Sequence, residues 1–336
     1  MRSLTIAGMT VLDRLVVTAH RAGCDPIYVV SDEPPRLSRA NELGIHPTVM
    51  PAAPDTPEPT LSITGGALVN VGDLEQLISH GGQLVMPDGS PLPVSMKNET
   101  SSAVVATGVA APVNDSVSAR EAERQLWSSL TSNADGIVDR FFNRPVGRIL
   151  SKILVHTSVS PNQVSIVSIL IGVVSGWFFA TGQFLTGAII LQVCAIIDCV
   201  DGDLARALFK QSFMGKWIDL IGDQIVHFAV FLGIGLGVAR QDASTPALIL
   251  GASAAVGVVF CLLVILRGMN MTSDHQSLFG KLVDATANRD FSALLLILAL
   301  IGRMQWFLWM AGIGIHLFWI MMLALQVHAT RAVRQA

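Results

Sequence analysis

From Pro161 onward the sequence is a succession of apolar runs rich in Val, Ile, Leu, Phe, Gly and Ala, with charges widely spaced between them. A run of about 20 such residues matches the hydrocarbon thickness of a bilayer, where only a helix or a closed barrel satisfies its own backbone polar groups. These runs are therefore expected to be transmembrane helices, six in number, at 162–181, 184–206, 214–238, 246–266, 290–303 and 305–327. The composition agrees: 14% of residues are charged and the mean hydropathy is +0.55, too apolar for an ordinary soluble protein. The formal net charge of −3 identifies no partner beyond the bilayer, and no nucleic-acid partner is expected.

Lysine and arginine are unevenly distributed about these spans. Arg140, Arg144, Arg148, Lys152, Arg206, Lys210, Lys216, Arg267, Lys281, Arg289, Arg331 and Arg334 fall on one side, and only Arg240 and Arg303 on the other. The positive-inside rule then puts both termini and residues 198–223 on the cytoplasmic face of the inner membrane. The segment before Asp13 and Arg14 lacks the apolar core of a signal peptide, so the N-terminal region is expected to stay in the cytoplasm. The cysteines Cys24, Cys194, Cys199 and Cys261 show no metal-binding spacing and are expected to be free thiols.

Ahead of the spans, residues 1–113 alternate short β-rich runs (27–30, 83–85, 104–107) with amphipathic stretches (11–22, 73–79). That alternation predicts a small α/β domain with a partly parallel sheet, interrupted by a proline-rich loop at 51–59. Residues 114–134 are expected to hold a connecting helix capped near Asn114 or Ser116. In 135–156, Arg140, Arg144, Arg148 and Lys152 recur every four residues among Phe141, Phe142, Ile149, Leu150 and Ile153. This predicts an amphipathic interfacial helix with a basic stripe toward lipid headgroups. Residues 157–336 form the expected membrane domain.

Five aspartates stand in "DCVDGDLARALFKQSFMGKWIDLIGD", residues 198–223, at the ends of two apolar runs. Ionisable residues at membrane depth are costly and mark function. Asp198 and Asp201 are three apart, Asp219 and Asp223 four apart, so each pair lies on one helical face. The loop around 210–213 would turn the pairs toward each other. Four converging carboxylates need a cation, and oxygen ligands without Cys or His favour Mg²⁺ or Mn²⁺, expected as a pair of ions. Gly202 and Gly215 would admit a ligand close to the backbone, Ala205 would keep that face shallow, and Arg206 offers a fork for a phosphate oxygen. Asp203 is off this face and is expected to be a solvated or Arg-paired surface residue.

Written as Asp198-x-x-Asp201-Gly202-x-x-Ala205-Arg206, eight residues, Gly215-x-x-x-Asp219-x-x-x-Asp223, the stretch resembles the signature of the CDP-alcohol phosphotransferases. "TSVSPNQVS", residues 157–165, is similar to that family's entry into its first transmembrane helix. The resemblance covers residues from about 135 onward. It implies a six-helix membrane fold and attack of an acceptor hydroxyl, from a polyol or polyol phosphate, on the β-phosphorus of a CDP-alcohol, releasing CMP. By position, Asp198, Asp201, Asp219 and Asp223 would bind metal, and Asp223 would also take the acceptor proton. Gly202, Ala205, Arg206, Ser212 and Gly215 would contact the CDP-alcohol, with Asn162 and Ser165 nearby. His227, one turn beyond Asp223, and Arg267 and Arg289, at helix ends, are acceptor-site candidates. A homodimer is also common among relatives.

"SLTIAGMTVLDRLVVTAHRAGCDPIYVVSDE", residues 3–33, resembles part of a sugar-type nucleotidyltransferase. The glycine-rich loop that cradles a triphosphate in that family is not found ahead of it. Gly65, Gly66 and Ala67 stand where relatives carry a metal-binding aspartate. A degenerate nucleotidyltransferase-like domain is therefore expected, ahead of the membrane domain, as in bifunctional inositol-phosphate cytidylyltransferase/di-inositol-phosphate phosphate synthases. Because such a chain could not make CDP-inositol itself, CDP-diacylglycerol is the expected donor and phospholipid synthesis the expected setting. A CDP-inositol-type donor, or a non-catalytic metal- and nucleotide-binding membrane protein, is the alternative.

Overall fold

The computed structural model describes residues 4–54, 59–97, 102–131, 135–243, 245–269 and 290–335. It divides into two compact units, one of residues 1–130 with 206–209 and one of 131–205 with 210–336.

The first unit is an α/β assembly. Strands β1 (Thr5–Ile6) and β2 (Met9–Thr10) form a hairpin that leads into α1 (Val11–Arg21), and β3 (Tyr28–Val30) follows. After α2 (Ser38–Glu42), β4 (Thr48–Met50) pairs with β3 in parallel. Then come β5 (Thr60–Ile63), β6 (Ala67–Leu68), α3 (Val71–His80), β7 (Gly82–Val85), β8 (Pro91–Lys97), β9 (Ala103–Val105), β10 (Ala111–Pro112) and α4 (Ser116–Ser129). The four-stranded sheet has the order β5-β8-β7-β9, with β7 and β9 parallel and the other pairs antiparallel. The expected strands at 27–30, 83–85 and 104–107 thus appear within two residues of their places.

Leu15 and Val17 of α1, Leu74 and Leu77 of α3, Leu84 of β7 and Leu92 of β8 fill the interior, as their spacing on helix and strand requires. Two buried carboxylates are spent on backbone amides. Asp13 accepts from the N–H groups of Arg39 and Ala40 at 2.7 and 2.8 Å, and Asp73 accepts from Thr107 N and Oγ1, both at 2.8 Å. α4 starts at Asp115, whose carboxylate accepts from Val117 N and Ser118 N, between the two residues expected to cap it.

The second unit is helical. A π-helical turn, Asp139–Asn143, runs into α5 (Arg144–Leu154), followed by α6 (Pro161–Ala180), α7 (Phe184–Ala207), α8 (Phe213–Asp242), α9 (Thr245–Met269), α10 (Phe291–Leu300) and α11 (Met304–Gln335). α6 begins with a capping box between Ser160 and Gln163 and with Pro161 at its first position, where the missing N–H costs nothing. Among the described residues five helices, α6 to α9 and α11, are long and apolar enough to cross a membrane. The span expected at 290–303 is the exception. α10 has 10 residues, about 15 Å of helix against a hydrocarbon core of about 30 Å.

α6 packs along α8, α8 along α9, and α9 along α11. Glycines make the first of these contacts close. A Cβ at Gly222 would stand 2.2 Å from Ile169 Cδ1, and one at Gly172 2.5 Å from Val226 Cγ2. Among lipid tails, helices gain from such intimate packing because apolar burial alone does not favour association.

The interfacial segment corrects one expectation. Phe141, Ile149 and Ile153 are 75%, 66% and 61% exposed, leaving an apolar face for lipid. The basic stripe, however, is split. Arg140 and Lys152 are exposed, while Arg144 is buried and Arg148 half-buried. Arg144 Nη1 donates to Asp203 Oδ1 at 2.9 Å and the guanidinium also pairs with Asp135, with Arg148 Nε 3.9 Å from Asp203 Oδ2. Asp203 is thus Arg-paired, as one expected reading had it, but fully buried rather than at the surface. Burial would lower the pKa of Arg144, but its hydrogen bond to Asp135 and the nearby charges of Cys199, Asp135 and Asp203 outweigh that and raise it.

Candidate active site

Asp198 and Asp201 lie on α7 and Asp219 on α8, and one ligand oxygen from each lies within 4.8 Å of the others. Asp201 is buried, Asp198 half-buried and Asp219 exposed, so the group opens on one side. Oxygens of like charge at that separation repel unless positive charge or a proton lies among them. An all-carboxylate donor set without Cys or His suits a hard divalent cation such as Mg²⁺ or Mn²⁺. The residues present therefore fit the metal that the sequence implied. Asp223, 7% exposed, follows Asp219 by one turn of α8, so the same face continues inward from the exposed carboxylate.

Two of these carboxylates are held by serines on α6. The Ser165 hydroxyl donates to Asp201 Oδ2. Ser168 Oγ lies 3.4 Å from Asp198 Oδ1 and 3.0 Å from the carbonyl oxygen of Ser165. Because α6 and α7 run in opposite directions, the serines three apart meet the aspartates three apart in reversed order. Ser165, expected beside the nucleotide, is here a partner of an aspartate. Ser168 was not singled out from the sequence. The signal was present, since Ser165-x-x-Ser168 repeats the spacing of Asp198-x-x-Asp201.

Asn162, Ser212 and Gly215 form a second group. Ser212 caps α8, accepting from Gly215 N at 3.0 Å. A Cβ at Gly215 would lie 2.9 Å from Asn162 Oδ1 and 3.1 Å from Ser212 Oγ. These three expected CDP-alcohol contacts, two from the loop and helix start and one from α6, are thus brought together. Gly202 and Ala205 lie on α7 beyond Asp201, both half-buried, and Arg206 follows on the same helix.

The acceptor-site candidates fare differently. The His227 ring centroid is 4.9 Å from that of Phe291 and 5.9 Å from that of Phe231, so the imidazole is packed among aromatic rings. Arg267 is exposed near the end of α9. Arg289 lies outside the described residues.

Residues 158–276 match the family model for CDP-alcohol phosphatidyltransferase, a stretch that contains both aspartate-bearing helices. A bifunctional IPC transferase and DIPP synthase from Thermococcus kodakarensis is 35% identical over 108 residues, 32% of this chain and 24% of the relative. One of the same name from Archaeoglobus fulgidus is 34% identical over 119 residues, 34% of this chain and 23% of the relative. An archaetidylinositol phosphate synthase from Pyrococcus horikoshii is 38% identical over 95 residues, 28% of this chain and 50% of the relative. The chain thus spans about a quarter of the first two relatives and half of the third. The match to the CDP-alcohol phosphatidyltransferase family is carried by residues 158–276.

Proposed function

We propose that this protein is an integral membrane phosphotransferase that moves a substituted phosphate from a CDP-alcohol to an acceptor hydroxyl and releases CMP. The observation that carries the reading is the convergence of Asp198, Asp201 and Asp219, from two helices, inside the family-matched region. Asp198, Asp201 and Asp219 would hold a divalent cation, with Asp223 one turn further in. Bound there, a cation would offset negative charge on the diphosphate and on the departing CMP. A second ion is in keeping with four carboxylates on the two helices.

Asp223 accepts the proton of the attacking hydroxyl, as a carboxylate set beside the cluster but behind it can do. Gly202, Ala205, Arg206, Ser212, Gly215 and Asn162 receive the CDP moiety. Gly215 leaves backbone open where Asn162 and Ser212 converge, and Arg206 supplies a fixed positive fork for phosphate oxygens. Ser165 and Ser168 hold Asp201 and Asp198 in place rather than touching the donor.

An inositol phosphate is the favoured acceptor, because archaetidylinositol phosphate is what the Pyrococcus relative is named for making. The names of the bifunctional relatives favour an inositol-type donor over CDP-diacylglycerol specifically, so the donor is read here as a CDP-alcohol of either kind. The positive-inside distribution supports a cytoplasm-facing site. Residues 1–113 are read as a degenerate nucleotidyltransferase-like domain. A Cβ at Gly66 would meet Val113 O at 2.2 Å, so that position has no room for a metal-binding aspartate.

The test is CMP release by the full-length protein in detergent with Mg²⁺ or Mn²⁺. CDP-diacylglycerol and CDP-inositol are each offered against inositol phosphate, glycerol phosphate and free polyols. Release is expected with one donor, with inositol phosphate, and not from Asp223→Asn. Metal binding without release from any pair would instead support the non-catalytic alternative.

A further inference from the structure

Asp203 is the fifth aspartate of the stretch, and the metal cluster does not use it. At about 100° per residue it stands about 200° around α7 from Asp201 and about 140° from Asp198, so it projects from the other side of the helix. There it is fully buried and bound by Arg144, which is itself held by Asp135. Nearby, α5 is laid directly on α7. A Cβ at Gly147 would stand 2.9 Å from the Ile196 carbonyl oxygen, and Asn143 Oδ1 accepts from Gln192 Nε2. The segment therefore touches α7 at Gln192, at Ile196 and at Asp203, a splint along the face opposite the serines of α6.

A buried ion pair is a poor means of gaining stability, since apolar residues of similar volume often do as well, whereas it specifies one register well. α7 has a second reason to need such a device. Its carboxylates must point at one place, and rotation of the helix would swing both together.

We propose that Asp203 and Arg144 are positioning residues, whose ion pair fixes the rotation of α7 about its axis and thereby aims Asp198 and Asp201 at a divalent cation. This rests on the metal-dependent reading above. The planar fork of Arg144 reaches Asp203 and Asp135 together, which an ammonium group cannot reproduce. Arg144→Lys and Asp203→Asn therefore both loosen the aim, the first while keeping the charge.

The experiment is titration of the full-length protein in detergent with Mn²⁺ alone, following free Mn²⁺ by electron paramagnetic resonance, with metal-free melting temperature measured in parallel. Both variants are expected to bind Mn²⁺ about ten-fold or more weakly, the range seen when partners behind metal ligands are removed. Arg144→Lys should do so with little change in melting. A variant that melts lower yet binds Mn²⁺ within about two-fold of wild type would show the pair to be structural only and overturn the proposal. Should Asp203→Asn fail to fold, Arg144→Lys decides alone. Wild type that binds no Mn²⁺ sensitive to Asp219→Asn would instead sink the metal-dependent reading and this proposal with it.

Discussion

The Cβ that Gly233 lacks would stand 2.2 Å from the carbonyl oxygen of Gly176, so α8 and α6 meet there backbone to backbone. α8 brings Asp219 and α6 brings the two serines, and this crossing, with the contacts at Gly172 and Gly222, holds the two helices at their spacing. Gly233→Ala must push the helices apart, at a cost of about 1–3 kcal/mol for overpacking. A displacement of about 1 Å at the carboxylates is enough to lower turnover by about a hundred-fold. Melting temperature and CMP release on the same preparation check both parts.

Ser165→Ala removes the hydroxyl that donates to buried Asp201. Affinity for Mn²⁺ should fall about ten-fold or more, because an outer partner orients its ligand. Ser165→Thr keeps the hydroxyl and should restore most of the loss. Equal weakening by both substitutions would mean that the hydroxyl is not the operative group.

Asp290 accepts from the amides of Ile137, Val138 and Asp139 at 2.8, 2.9 and 3.3 Å, capping the π-helical turn from a distant part of the sequence. Asp290→Ala should cost about 1 kcal/mol, as the loss of a cap does, and should speed hydrogen exchange at those three amides. Amide exchange measured by mass spectrometry over residues 135–145 is the check.

The pKa of Asp115 is lowered, chiefly by the hydrogen bond from the Ser118 amide and then by the Ser118 hydroxyl. Its contribution to α4 is therefore present above the unfolded-state carboxylate pKa of about 3.9 and is lost as pH falls through the lower folded value. The melting difference between wild type and Asp115→Ala should be largest near neutral pH and shrink below about pH 4. A difference that grew on acidification would contradict the cap.

Where the sequence carried a periodic signal, the structure was legible in advance. The long apolar runs became α6 to α9 and α11, and the three-residue spacing of Asp198 and Asp201 puts both on the face of α7 that meets Asp219 of α8. Asn162 and Gly215, 53 positions apart, were paired only through the resemblance, since no local pattern links them. The misreadings of the basic stripe and of Asp203 share one cause. Arg144 and Arg148 fall on the same four-residue repeat as Arg140 and Lys152, and periodicity cannot tell an arginine facing water from one facing a buried carboxylate. Asp203 is the missing half of that distinction, 59 residues further on. Ten residues of α10 were extended into a span because hydropathy does not show where a helix stops.

The reversed pairing of Ser165 with Asp201 and Ser168 with Asp198 makes the two helices a matched frame. One residue inserted into α6 between Ser168 and Gly172 would keep the two serines in step with each other but turn Gly172 and Gly176 by about 100° away from Val226 and Gly233 of α8. One inserted between Asn162 and Ser165 would spare the serines but turn Asn162 by about 100° away from Gly215. A residue inserted between Ser165 and Ser168 turns one serine by about 100° relative to the other and breaks the match, since only the three-residue interval fits its partner on α7. The register of α6 is thus fixed at three levels at once, by Asn162, by the serine pair and by the glycines that meet α8, so a change of length anywhere along it parts one from the others.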